Sequence, residues 1–517
     1  MCEQKKKITL IPLILMIFTS VFGFANMPRS FYLMGYGAIL WFIFSTIVFF
    51  IPYAFMMAEY GAAFKNEKGG IYSWMNKSIG PKFAFAGTFM LYASNLIWMV
   101  NSATGIWIPF SNTFFGTDTT ANWKVNISLG ITNLSLTSVQ VIGILAIAWM
   151  ILVSFVASRG LEKITKITSI GGVAVALLNV VLLFGAIFVL ICNHGKLAQP
   201  LSSVNTFVNS PNPSYQSGIA MLSFLVFAIF GYGGIEMTGG LVDETENAEV
   251  TFPKGVTIAA VIISVGYAIG IFACGIFINW GSVLSDKSIN MANVCYVIMQ
   301  NLGVQIGLSM GLTHTATMAL GAWMARITGL SMFLALSGAF FTVVYSPLKQ
   351  LIEGTPKEIW PSKLTEIKDN MPKYAIKVQA IIVVFIIALI SFGGDGASDF
   401  FNKLVLMTNV AVTFPYLFLS IAFIYFKKKD DIEKPFLFFK SKKSGIIAGI
   451  VSTIAIGFAN LFTIIEPTIT SKDYSSTMWM AGGPIVFIIV ALLMYRRYEK
   501  NKIKDIYTYI NEKDKAC

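Results

Sequence analysis

Apolar residues run along this chain in long blocks separated by short polar stretches. A helix that crosses a bilayer needs about 20 consecutive apolar residues. By that measure there are about twelve blocks, near 8–35, 38–60, 83–110, 137–157, 166–192, 216–242, 254–280, 318–346, 374–392, 402–426, 444–465 and 478–496. In hydrocarbon every backbone N–H and C=O has to be bonded within its own segment, so the blocks predict helices and an all-α polytopic membrane protein.

Two blocks interrupt their own pattern. The first reads Phe18-Thr19-Ser20-Val21-Phe22-Gly23-Phe24-Ala25-Asn26-Met27-Pro28, and the sixth reads Ile229-Phe230-Gly231-Tyr232-Gly233-Gly234-Ile235-Glu236. A glycine weakens a helix interior by about 1 kcal/mol relative to alanine. The three glycines at 231, 233 and 234 therefore predict local unwinding. Corresponding interruptions five blocks apart point to an inverted-repeat transporter. On that reading, residues 1–517 form a single membrane domain, with 8–192 as the first five-helix repeat, 216–426 as the second and 444–496 as two additional helices. The freed N–H ends at such breaks suit a carboxylate, and the freed carbonyl ends suit an ammonium. Close packing of helices through small residues is the competing reading of the glycines.

Charge adds orientation. The chain is 56% hydrophobic and 12% charged, about half the charged fraction of an average soluble domain. Its net charge of +12 is concentrated at Lys5–Lys7, Lys65 to Lys82, Lys349 to Lys377, Lys427 to Lys443 and from Arg496 onward. An excess of Lys and Arg beside span ends marks cytoplasmic loops. Both termini are therefore expected in the cytoplasm, with anionic lipid rather than nucleic acid as the partner of the basic face. Lys5–Lys7 and the apolar run behind them have the look of a leader peptide, but the run continues past Pro28-Arg29 into more membrane sequence and reads as an uncleaved first span. Lysine far outnumbers arginine, as in AT-rich genomes, which suggests a bacterial plasma membrane. The outer connection 281–317 is amphipathic, with a short helix expected at Met291–Leu302.

The candidate chemistry is sparse. The five cysteines stand apart and there are two histidines, so neither a metal site nor a cofactor is expected. No cluster of His, Asp and Glu lies within the blocks, which argues against an enzyme, and there is no channel filter sequence. Gly69-Gly70 lacks the Lys-Ser/Thr of a phosphate loop.

Four stretches carry a resemblance. They are Ile51-Pro52-Tyr53 through Ala58-Glu59-Tyr60; Glu67-Lys68-Gly69-Gly70-Ile71-Tyr72-Ser73-Trp74 with Ile79-Gly80-Pro81-Lys82; Tyr232-Gly233-Gly234-Ile235-Glu236 with Asp243-Glu244 and Phe252-Pro253; and Ser346-Pro347-Leu348-Lys349 with Trp360-Pro361. Their order and spacing resemble the amino acid–polyamine–organocation superfamily, which has the LeuT-type fold. Within it the chain is most similar to the glutamate/γ-aminobutyrate antiporter family and its YjeM-type branch.

The resemblance implies a substrate site between spans one, three, six and eight. Ser20, Phe22 and Gly23 would line the first break, and Phe230, Gly231, Gly233 and Gly234 the sixth. Phe230 falls where relatives place an aromatic that folds over the substrate and can meet an ammonium face-on; the alternative is a packing role. Glu236, a carboxylate inside an apolar span, is either proton-sensing or structural. Arg326 either gates and attracts an acidic substrate or snorkels to the interface. Glu59, Glu244 and Lys349, with Asp243, Lys65 and Lys68 nearby, would form a cytoplasmic network or be ordinary solvated charge. Two departures matter. Val175 stands where proton-coupled relatives carry a lysine, and the short Lys-rich tail does not resemble the plug of the acid-resistance antiporters. The function implied is a secondary transporter of an amino acid or related amine, working by alternating access and as an exchanger. Proton-coupled symport and, behind it, an ion channel are the alternatives; oligomeric state is left open.

Overall fold

The computed structural model describes residues 7–129, 132–201, 203–369 and 371–516. Among the described residues, eleven helices are long and apolar enough to cross a membrane. Spans one to nine are Leu10–Met34, Gly37–Ala63, Pro81–Phe115, Ser138–Ala157, Leu161–Cys192, Gly218–Leu241, Ala248–Phe277, His314–Gly354 and Lys373–Phe392; spans eleven and twelve are Lys442–Ser471 and Tyr474–Ile503. Span ten is the exception. The block at 402–426 is divided into Gly394–Ala411 and Phe414–Lys428. Pro415, in the first turn of the second piece, has no N–H for the Ala411 carbonyl one turn back. The Thr413 hydroxyl meanwhile donates to the Val410 carbonyl at 2.7 Å, which helps close the first piece. The all-α reading also meets a small addition, an antiparallel hairpin of Val125–Leu129 and Thr132–Leu136 in the connection between spans three and four.

The first and sixth spans are broken where their glycines fall. Span one consists of Leu10–Val21 and Asn26–Met34, separated by residues 22–25. Pro28 supplies no N–H to the Phe24 carbonyl, which accepts instead from the Met27 N–H at 3.2 Å. Span six consists of the α-helix Gly218–Phe230, a turn over 231–234 and a tight 3-10 segment Ile235–Leu241. Gly234 has a φ of +117°, which disfavours a side chain, and a Cβ there would overlap the Ser20 carbonyl oxygen of span one. The sixth break therefore touches, backbone to backbone, the end of the first half of span one.

Span one packs against spans five, seven and eight, so the broken pair lies inside the bundle. Span eight, at 41 residues, extends about 60 Å at 1.5 Å per residue. It outruns a hydrocarbon core of about 30 Å and carries Lys349 out toward the basic end. That end, which holds the 61–82 and 346–373 connections, is called inner below, following its charge. The outer connection carries a helix at Val294–Ser309, which begins three residues beyond the expected start at Met291 and packs on span eight.

Candidate functional site

The two breaks are joined by a tyrosine from a third span. Tyr267, in span seven, is fully buried. Its hydroxyl accepts from the Gly23 N–H at 3.0 Å and from Asn26 Nδ2 at 3.2 Å, and donates to the Gly231 carbonyl at 3.1 Å. One oxygen thus satisfies a freed donor of the first break and a freed acceptor of the sixth. The Tyr267 ring stacks on Phe22 at 4.7 Å and meets Phe42 at a tilt at 4.8 Å. Next to it, Tyr232 is held by the Thr46 hydroxyl at 2.7 Å and stacks on Phe50.

Above the breaks, toward the outer face, lies a cavity of about 450 Å³. It is lined by Ser94, Trp98 and Asn101 of span three, Phe227 and Phe230 of span six, Thr408 and Val412 of span ten, and Phe462, Thr463 and Glu466 of span eleven, among others. The sequence-predicted residues divide around it. Phe230 stands on its wall. Phe22 does not reach it and is 3% exposed, sandwiched between Phe18 and Tyr267. The Ser20 hydroxyl is turned back to the Met16 carbonyl at 2.8 Å. Gly23 and Gly231 are bound by Tyr267. A Cβ at Gly233 would lie 2.6 Å from the Tyr416 hydroxyl, so this glycine lets span ten approach.

Glu236 is fully buried just past the sixth break. Its Oε2 accepts the Gly234 N–H at 3.2 Å, its Oε1 has no hydrogen-bond donor in good geometry, and the Tyr416 hydroxyl is the polar group beside the carboxyl. Arg326 lies at the outer end, far along the chain from the breaks. Its guanidinium sits over the Trp323 ring at 5.3 Å and its Nε beside Gly116, the residue that closes the helix Trp107–Phe115. A cation suits that position at a helix C-terminus.

The inner end is sealed. Lys349 Nζ, 1% exposed, pairs with Asp243 at 2.7 Å and Glu244 at 3.3 Å and donates to the Gly240 carbonyl at 3.1 Å. The start of span one bridges to the same exit. The Ile8 N–H donates to the Glu244 carbonyl at 2.8 Å, and the Glu246 N–H donates to the Ile8 carbonyl at 2.9 Å. Gly69 and Gly70 are part of this closure. A Cβ at Gly69 would lie 2.6 Å from the Gly354 Cα, and Gly70 adopts a φ of +48° while the next amide, Ile71 N–H, donates to Gln350 at 2.9 Å.

Glu59 is not part of the Lys349 cluster. It lies in a second, separate buried pair, accepting Lys427 Nζ at 2.9 Å and the Phe439 N–H at 2.8 Å, which ties span two to the end of span ten. Lys65 pairs with Glu249 at the surface. The expected single network is therefore two buried clusters, because Glu59 faces span ten while Glu244 faces span eight.

Four site residues went unread in the sequence: Tyr267, Lys427, Trp98 and Glu466. For Glu466 a signal existed, a carboxylate followed by Pro467, one residue beyond the block edge drawn at 465.

Comparison with known proteins places this geometry in context. The amino acid permease family model matches residues 8–492. The inner membrane transporter YjeM of Salmonella typhimurium is 52% identical over 506 residues, covering 98% of this chain and 99% of the relative. The aspartate/glutamate permease AcaP of Lactococcus lactis is 24% identical over 507 residues, covering 95% of each. A glutamate/gamma-aminobutyrate antiporter of Lactococcus lactis is 23% identical over 494 residues, covering 93% of this chain and 90% of the relative.

Proposed function

The chain belongs to the amino acid permease family, and from that premise we propose that it is a secondary transporter that exchanges amino acids or related amines across a bacterial inner membrane by alternating access. The observation that carries the reading is the pair of broken spans, held together by Tyr267 beneath an outer cavity, over an inner end closed by Lys349 and the Ile8 bridge. This is the arrangement of a carrier that is open to one side and shut to the other. Unwound backbone at membrane depth is tolerated where it lines a cavity or is buried in protein. Spans one to five and six to ten form the two repeats of a LeuT-type core in this reading, and spans eleven and twelve flank it.

The cycle follows from these parts. Substrate enters from the outer side and settles over the breaks, with its carboxylate toward the N-terminal end of Asn26–Met34 and its ammonium toward carbonyls of the unwound turns. Phe230 closes over it and excludes water. The Lys349 cluster and the Ile8 bridge then separate, and the inner end opens. Lys349 and Glu244 are buried when closed and Asp243 is part-buried, so the change exposes charge that water can solvate; the pairs give up their mutual attraction but regain hydration. Both termini and the Lys-rich loops face the cytoplasm, against anionic lipid.

A second reading, proton-coupled symport, has one observation in its favour, the unpartnered oxygen of the buried Glu236. Counterflow in proteoliposomes separates the two. Accumulation of labelled substrate driven only by an internal counter-substrate is the expected result. Uptake into empty vesicles that follows a proton gradient would instead establish symport and overturn exchange.

A further inference from the structure

The outer cavity carries a charge that the broken spans do not supply. Of the side chains that line it, Glu466 alone is ionisable. Among the described residues no lysine or arginine lines the cavity, and Glu466 makes no salt bridge there. Span eleven presents a further acceptor at the same place. Pro467 has no N–H for the Thr463 carbonyl one turn back, and Thr463 is itself a lining residue. Four aromatic residues, Trp98, Phe227, Phe230 and Phe462, stand in the rest of the wall, beside the neutral polar residues Ser94, Asn101, Ser223 and Thr408. On the loop side, burial and then the Glu466 carboxylate push the Tyr215 phenol above its ordinary value, which puts this carboxylate close to the outer connection that leads into span six.

A lone carboxylate, a spare carbonyl and four aromatic faces around about 450 Å³ of space are complementary to an organic cation. The carboxylate gives a charge-assisted hydrogen bond and the rings give cation–π contacts. The same wall opposes an acidic side chain, whose charge would face Glu466 with no cation to offset either.

We propose that the outer cavity recognises an ammonium carried beyond the α-amino group of a neutral amino acid, with Glu466 as its counter-charge, and that the substrate is a cationic amino acid or an amine rather than an acidic amino acid. This rests on the transporter reading for its second half only; recognition in the cavity stands apart from whether the ligand is moved. It also sets this chain apart from the distant relatives named for aspartate and glutamate, because their named substrates would add negative charge to a negative cavity.

Binding and transport are tested separately on the full-length purified protein. Ligand-induced thermal stabilisation and counterflow are measured with L-lysine, cadaverine, L-leucine and L-glutamate, for wild type, Glu466→Gln and Glu466→Asp. The expected result is binding of L-lysine or cadaverine, weakened about tenfold by Glu466→Gln, a loss on the scale of one hydrogen bond to a charged group. Glu466→Asp keeps most of the preference, and binding of L-leucine, where present, is unchanged by either variant. Glu466-dependent binding of a cation without counterflow would support recognition while sinking the transporter reading. Binding of L-glutamate as tight as that of L-lysine, cation binding indifferent to Glu466→Gln, or no binding of any probe would overturn the proposal.

Discussion

Replacing Tyr267 with phenylalanine removes one oxygen atom and three hydrogen bonds, to the Gly23 N–H, to Asn26 Nδ2 and to the Gly231 carbonyl. The ring remains, so its contacts with Phe22 and Phe42 are kept. At about 1 kcal/mol net for each buried hydrogen bond, the loss comes to about 3 kcal/mol. Tyr232→Phe is the internal control. It is an equally buried tyrosine within the sixth break itself, and its hydroxyl makes one short bond, to Thr46 at 2.7 Å, and a long one, to the Phe42 carbonyl at 3.4 Å. Its loss should be about 1 kcal/mol. Equilibrium unfolding of the two variants in the same mixed micelles should therefore separate them by about 2 kcal/mol, with Tyr267→Phe the less stable. Counterflow should fall further for Tyr267→Phe than for Tyr232→Phe, because only the former joins the two breaks. If Tyr267→Phe proves no less stable than Tyr232→Phe, the breaks are held by something other than this hydroxyl and the reasoning fails.

Other expectations follow from the same geometry. Lys349→Met removes the cation beside buried Glu244 and part-buried Asp243 and should cost about 3–5 kcal/mol, with a cysteine replacing the buried Thr245 at the same exit becoming reactive to a water-soluble maleimide from the inner side; unchanged reactivity would argue against an ion-pair closure. Glu59→Gln should destabilise the fold, yet leave the cysteine at residue 245 as unreactive as in the parent, because its partner is Lys427 and not Lys349; a shared effect on labelling would join the two clusters again. Gly234→Ala meets both a left-handed backbone and the Ser20 carbonyl, and should lose at least about 2 kcal/mol in unfolding, whereas Gly482→Ala, with open space around it, should be near neutral. Glu236→Gln keeps an acceptor for the Gly234 N–H, so transport with an unaltered pH profile is expected; a displaced profile would give Glu236 a proton-coupling role.

The parts of this molecule that were legible in the sequence are those that depend on local chemistry. Glycine and proline announce their own backbone cost, so the breaks at 22–25 and 231–234 stood out within otherwise uniform apolar blocks. The interruption at 412–413 lies between apolar and β-branched residues, and Pro415 alone hinted at it, a residue that also starts unbroken helices. The Tyr267 bridge spans 244 residues of chain to Gly23, and the Glu59–Lys427 pair spans 368. No periodicity encodes a partner at such a distance. Phe22 illustrates the same limit from the other side. Its place in the chain put it at the break, but the direction of its ring was decided by Tyr267 and Phe18, which the sequence pattern could not bring together.

The backbone bridge between Ile8 and the 244–246 turn gives the amino terminus mechanical leverage. Two backbone hydrogen bonds, a third from Lys7 to the Asp243 carbonyl at 2.5 Å and the burial of the Ile8 side chain fasten this short lead segment to the exit of span six, so anything that pulls on it competes directly with closure. A bulky fusion placed just ahead of residue 7 would load the equilibrium toward the unlatched form, whereas one appended beyond the long final helix would not. The same leverage makes the bridge a natural strain gauge. A pair of spectroscopic labels at residues 7 and 246 would register each unlatching event as a change in distance, turnover by turnover, without touching the residues that hold the cargo.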